Sequence, residues 1–195
     1  MTKSILLGAA LGGLTAFAWS MLSWEIIGWH EKAMSGFGNQ DAMAAAIAAN
    51  APRDGTYMLP AAPPAGLSQD QKKKADDAAM ERYLKGPIVI AAVRKGGFGS
   101  FGQALVLQFL TLSLGALLLT WLLAQARGLS YARRVLFVAT AGVASSVLVD
   151  LPNWNWWGFS GAYTAVNLAD SAITWAVAGL AIAAVCRSNS RLSAT

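Results

Sequence analysis

The stretch ALVLQFLTLSLGALLLTWLL (104–123) runs for 20 residues without a charged side chain. As a helix it reaches across about 30 Å of hydrocarbon. Working outward from it, three more apolar runs, 5–23, 135–151 and 165–185, have comparable length and composition. Over the whole chain of 195 residues, 55% are hydrophobic and only 13% charged. A soluble domain carries about a quarter charged residues. The expectation is an all-α integral membrane protein, a bundle of four transmembrane helices, with an extracytoplasmic insertion between helices 1 and 2. Its segments are 1–23 (first span), 24–102 (the insertion) and 103–195 (three spans with short loops and a cytoplasmic tail).

The net charge of +5 reads as topology once its distribution is followed. Lys3, Arg127, Arg133, Arg134, Arg187 and Arg191 flank span ends with no Asp or Glu among them. By contrast, residues 24–101 hold nine Lys or Arg against eight Asp or Glu. Short basic segments stay in the cytoplasm, so both termini are expected inside and the insertion outside, in a bacterial inner membrane. No nucleic-acid partner is implied. Cys186 is the single cysteine, which excludes a disulfide or a CxxC motif within this chain. The start, MTKSILLGAALGGLTAFAW, has signal-peptide features with Ala16-Phe17-Ala18 near its end, and is read as a retained span.

Within the insertion, DAMAAAIAAN predicts a short helix with Asp41 as N-cap, followed by a Pro-rich loop. LSQDQKKKADDAAMERYLKGP predicts a surface helix opened by a Ser68/Gln71 capping box and stopped at Gly86-Pro87. IVIAAV (88–93) reads as a strand with a pairing partner around TYML. In the spans, Gly8 and Gly12 form a GxxxG pair, and Ala172 and Ala176 repeat the small-residue spacing. Such faces let another helix approach closely, inside the bundle or in a partner.

Gly97 to Gly102 spells GxGxxG, but no acid follows until Asp150 and the helix it opens is a span. The dinucleotide reading fails on both counts. Tryptophans 19, 24, 29, 154, 156 and 157 gather at the predicted outer surface, where amphipathic rings belong. The acids and amides among them need another explanation. Asp170 lies about 8 Å inside the fourth span, where an unpaired charge costs about 3 kcal/mol. It must therefore have partners. Asn167, Asp170, Ser171 and Thr174 recur at helical spacing and form one polar stripe aimed at the bundle interior. Ser146 with Asp150 and Gln108 with Thr111 repeat the pattern on the third and second spans. Because no Lys or Arg lies in a span, amides, hydroxyls or indole N–H groups are the expected partners of Asp170. These groups stop short of the inner side, which disfavours a conduction path.

His30 is the only histidine, with Glu25 and Glu31 close in sequence. One imidazole among scattered carboxylates lacks the spacing of a zinc or iron site, and GFSGAY is not a GxSxG elbow. No catalytic or metal-ligating residue is assigned, and no cofactor is expected beyond a bound lipid. If a ligand pocket exists, its lining is Asp170, Asn167, Asp150, Asn153, Trp154, Trp156, Gln108, His30 and Glu25.

With SWEIIGWHEKAM, DGTYMLP, YLKGP and VDLPNWNWWGF in that order, the chain resembles a family of uncharacterised bacterial inner-membrane proteins with a Leu-Pro-x-Trp-Asn-Trp-x-Gly-Phe turn before the last span. The resemblance implies topology and a bacterial membrane, and it transfers no catalytic residue. The expected role is non-enzymatic: an accessory or scaffold subunit, with lipids and other membrane proteins as partners. The alternative is an outer-leaflet binding protein or enzyme for a lipid, quinone or other small amphiphile, seated near Asp170 and the Trp-rich turn.

Overall fold

A long apolar run has one cheap way to satisfy its backbone away from water, which is to close every hydrogen bond within a helix. The computed structural model follows this rule. It describes residues 2–126 and 128–186, so Arg127, Arg187 and Arg191 lie outside the described residues. The described residues are 73% helical, with one small two-stranded sheet among them. Its order is α1 (Thr2–Met21), a π-helical segment (Leu22–Ile27), α2 (Trp29–Lys32), α3 (Gln40–Asn50), β1 (Gly55–Leu59), α4 (Gln69–Lys85), β2 (Val89–Val93), α5 (Phe101–Gln125), α6 (Tyr131–Trp157) and α7 (Gly161–Val185). Four helical stretches of 25 to 27 residues, Lys3–Ile27, Phe101–Gln125, Tyr131–Trp157 and Gly161–Val185, are long and apolar enough to cross a membrane.

Two compact units emerge: a helical one built from α1, α2, α5, most of α6 and α7, and a second one from Gly36–Gly99 with Asn155–Gly158. In the helical unit α1 packs on both α5 and α7 through its small residues. A Cβ on Gly8 would lie 2.5 Å from Thr120, one on Gly12 would lie 2.6 Å from Ile182, and one on Gly13 would lie 2.4 Å from Ser113. The GxxxG face is therefore used inside the chain. Ala16, Ala116, Leu123, Val138, Ala178 and Ile182 fill the centre. Large apolar side chains elsewhere, such as Val106, Leu110, Leu114 and Leu118 on α5, face outward. Trp175 of α7 fills the notch left by Gly142 of α6 and reaches Gly115 of α5.

The structure corrects the reading of LPNWNWWGF as a turn. Helix α6 continues through Pro152 to Trp157. Proline removes one backbone donor, a loss that membrane-length helices tolerate. The reversal is confined to the residues after it, where Gly158 adopts φ 72° and the Phe159 N–H reaches back to the Asn153 carbonyl at 3.2 Å.

In the second unit β1 and β2 pair antiparallel, Gly55 opposite Val93 and Leu59 opposite Val89. The Asp54 carboxylate accepts the Lys95 N–H at 2.9 Å. Helix α4 opens with the Ser68/Gln71 capping box and stops at Gly86. Helix α3 is capped by Asn39, whose side chain accepts the Ala42 N–H, rather than by Asp41. The Tyr83 hydroxyl donates to the Trp156 carbonyl at 3.1 Å.

Candidate functional site

The polar residues of the helical unit come together in two clusters. The first is built around Asp170. Its Oδ1 accepts from the Trp19 indole N–H at 2.7 Å and from the Ser23 hydroxyl at 2.7 Å. Ser23, fully buried, in turn accepts the Trp29 indole N–H at 2.7 Å. His30 Nε2 stands 3.7 Å from Asp170 Oδ2. That spacing is an electrostatic contact, longer than a hydrogen bond. Trp24 stacks on the imidazole at 4.0 Å with planes 7° apart, and Trp29 meets it edge-on at 5.8 Å.

Local backbone geometry brings these groups to one place. Trp19 and Ser23 are four residues apart and share a helix face. At Leu22–Ile27 the helix widens to π geometry, a feature that recurs at functional sites. Gly28, left-handed at φ 62°, then ends it, so that the single turn of α2 carries His30 back toward α7. The imidazole is only 2% exposed, while Asp170 keeps 16% of its side chain open.

The second cluster lies between α6 and α7. Ser146 donates to Asp150 Oδ2, the Asn167 amide donates to Oδ1 at 3.2 Å, and Ser171 donates to the Gly142 carbonyl at 3.2 Å. The stripe seen in the sequence thus divides. Asp170 turns to α1 and α2, whereas Asn167 and Ser171 turn to α6, and Thr174 is buried. Gln108 and Glu25 are exposed, and among the described residues neither hydrogen-bonds to either cluster. Trp154 and Trp156 are exposed, and Asn153 is half-buried with its carbonyl engaged by Phe159. Ala172 and Ala176 are half-buried on α7.

Burial pulls the His30 pKa below its ordinary 6.5, and the facing Asp170 carboxylate opposes the shift. A neutral imidazole with its proton on Nε2 meets that carboxylate and leaves Nδ1 as a bare acceptor. Nδ1 is buried and has no hydrogen-bond partner among the described residues. The Ser23 proton goes to the carboxylate and not to His30, so these three side chains do not form a nucleophile–base–acid relay. Among the described residues no group of three His, Cys, Asp or Glu side chains is placed to hold a metal ion.

The class defined by fold and site is a helical chain with four membrane-length apolar helices and a Trp–Ser–His–Asp cluster at the end of the first. No known protein family, curated protein or solved structure matches it.

The sequence requires a partner for Asp170 and offers indole N–H groups among the donors, whereas Trp19, Trp24 and Trp29 read there as an interfacial belt. Their second role had one legible signal. They share their segment with Ser23 and the only histidine, at one end of the same span that Asp170 must be matched against.

Proposed function

We propose that this chain is a multi-pass integral membrane protein of a bacterial inner membrane, with both termini cytoplasmic, whose four-helix bundle carries a seat for the polar head of a small amphiphile at its extracytoplasmic end. Lipids and quinones belong to that class. The observation that carries the reading is His30: an imidazole 2% exposed, beside an intramembrane carboxylate, whose Nδ1 has no partner among the described residues. Most buried polar side chains in native proteins have a hydrogen-bond partner, and although Ser113, Arg134 and Thr164 also carry unpartnered buried atoms, only His30 stands beside an ionisable group at membrane depth, the kind that marks sites of function. The use of Gly8 and Gly12 inside the chain also supports it, because that face is not free for another subunit.

The test is purification of the full chain in nanodiscs, with mass spectrometry of retained small molecules for wild type and Asp170→Asn. Retention by wild type alone supports the seat. Equal profiles for the two folded forms overturn it. Reporter fusions at Lys72 check the orientation, with an extracytoplasmic signal expected.

A second reading, a non-enzymatic accessory or scaffold subunit, is favoured by a different observation. Asp170 Oδ1 already has two internal donors, as a purely structural lock would have, and α5 presents an apolar face at Leu110, Leu114, Leu118 and Trp121. Stoichiometric recovery of a membrane protein partner, lost when the α5 face is altered, supports this reading.

A further inference from the structure

Helix α5 is the least covered of the four membrane-length helices, with 11% of its most apolar stretch buried against 17–28% for the other three. Leu107, Leu110, Leu114, Leu118 and Leu122 line its outward surface, all exposed. One polar side chain interrupts that surface. Gln108 is exposed, and its carboxamide has no hydrogen bond among the described residues.

Depth makes this costly. The 25 residues of α5 measure about 37 Å against about 30 Å of hydrocarbon, so only about 4 Å projects at each end. Gln108 stands roughly 10 Å in from Phe101. Hydroxyls on the outward surfaces escape the same problem by bonding within their own helix, Thr111 to the Leu107 carbonyl at 2.8 Å and Ser145 to the Gly142 carbonyl at 2.7 Å. Asn167 is taken up by Asp150, and Asp170 by Trp19 and Ser23. Gln108 has neither solution within the described residues, so its partner is sought outside the chain.

The chemistry of the group specifies that partner. A lipid chain has no donor or acceptor to offer. A carboxamide carries both N–H donors and an oxygen acceptor, so it is its own complement. Two copies inserted in one membrane share an orientation, and a two-fold axis along the membrane normal brings each α5 residue to the depth of its counterpart. Gln108 then meets Gln108 of the second copy, donor to acceptor in both directions. No charged residue occurs in α5 to oppose the approach of like faces. Gln108, Thr111, Gly115, Leu118 and Leu122 follow one another at spacings of three and four, the seam of a left-handed helix pair, with Gly115 half-buried and the others exposed.

We propose that α5 is the contact face of a parallel homodimer in the membrane, joined by a reciprocal hydrogen bond between the two Gln108 carboxamides. Such a dimer is independent of any ligand at Asp170, and it rests on the reading of the chain as membrane-spanning.

The experiment places the full chain, labelled at its N-terminus, in phosphatidylcholine vesicles and follows energy transfer between labels as the protein-to-lipid ratio is lowered. Wild type should dissociate along a monomer–dimer curve. Gln108→Leu should raise the dissociation constant about tenfold, equal to ~1.4 kcal/mol, and Gln108→Asn should keep part of the association. With Cys186→Ala in both, oxidation should join copies of Thr111→Cys and not copies of Leu148→Cys, which is exposed on α6. Wild type that stays monomeric at every ratio overturns the proposal, whether a lipid or another membrane protein is found on α5. A dimer that Gln108→Leu leaves unchanged, or that cross-links equally at both cysteines, overturns it as well. The wild-type curve needs no variant, so a variant that fails to fold does not spoil it. Alkaline extraction tests the membrane reading by itself: release of the chain from membranes overturns that reading and the dimer with it, whereas retention of a monomer overturns the dimer alone.

Discussion

Replacing Asp170 by Ala removes the acceptor shared by Trp19 and Ser23, which sit 151 and 147 positions away in the chain. Ser23 is fully buried and Trp19 half-buried, so neither donor gains free access to water. A buried donor left without a partner costs about 1–3 kcal/mol. Taking the lower part of that range for the half-buried indole, and noting that Ser23 still holds the Trp29 N–H, the loss for Asp170→Ala comes to roughly 2–4 kcal/mol. Asp170→Asn keeps an oxygen where Oδ1 stands and loses only the charge assistance, so its loss is smaller, about 1–2 kcal/mol. Reversible unfolding of the purified protein in mixed micelles, followed by tryptophan fluorescence, separates the two. Equal stability of wild type and Asp170→Ala would refute the view that this carboxylate joins α1 to α7. Equal losses for the Ala and Asn variants would refute the part assigned to the retained oxygen.

Gly142→Ala places a methyl within 2.5 Å of three Trp175 atoms, with Gly115 already close on the far side of the ring. Overpacking at this level should lower stability by about 3 kcal/mol, and Trp175→Leu in the same chain should recover part of it, as a thermal-unfolding cycle would register. Gly12→Leu should be similarly destabilising against Ile182, measured the same way, whereas a face turned to lipid would tolerate the change. Because the folded pKa of His30 lies below its unfolded value, the unfolded state takes up the proton first. Stability should be full above about pH 6.5 and fall as pH drops below it, and His30→Gln should flatten that profile in unfolding measurements at stepped pH. Ser68→Ala should lower the stability of the second unit by about 1 kcal/mol through loss of the capping box, visible as faster amide exchange in the first turn of α4.

Local patterns are legible in the chain because their causes are local. Ser68 and Gln71 are three residues apart, and their reciprocal cap formed as expected. TYML and IVIAAV paired as strands because both are short β-favouring runs flanked by breakers. The helix through Pro152 is not legible in the sequence, because a proline signal is local while the tolerance for it comes from the rest of a long helix. The cap at Asn39 displaced Asp41 by two positions, which shifts a helix boundary without changing the element.

Composition and spacing alone determined that this chain builds four membrane-length helices, that Asp170 needs partners, and that its polar groups favour one end of those helices. Hydropathy and helical period are properties of one segment at a time, so a single strand of sequence carries them in full. What those partners are was decided only by tertiary structure. Trp19, Ser23 and His30 meet Asp170 because α1 lies against α7, where Gly12 closely faces Ile182, and because a π-helical widening ended by a left-handed Gly28 returns the chain at the right place. Contacts across 151 positions depend on how helices pack and on one inserted backbone step, and neither leaves a periodic trace in the residues themselves.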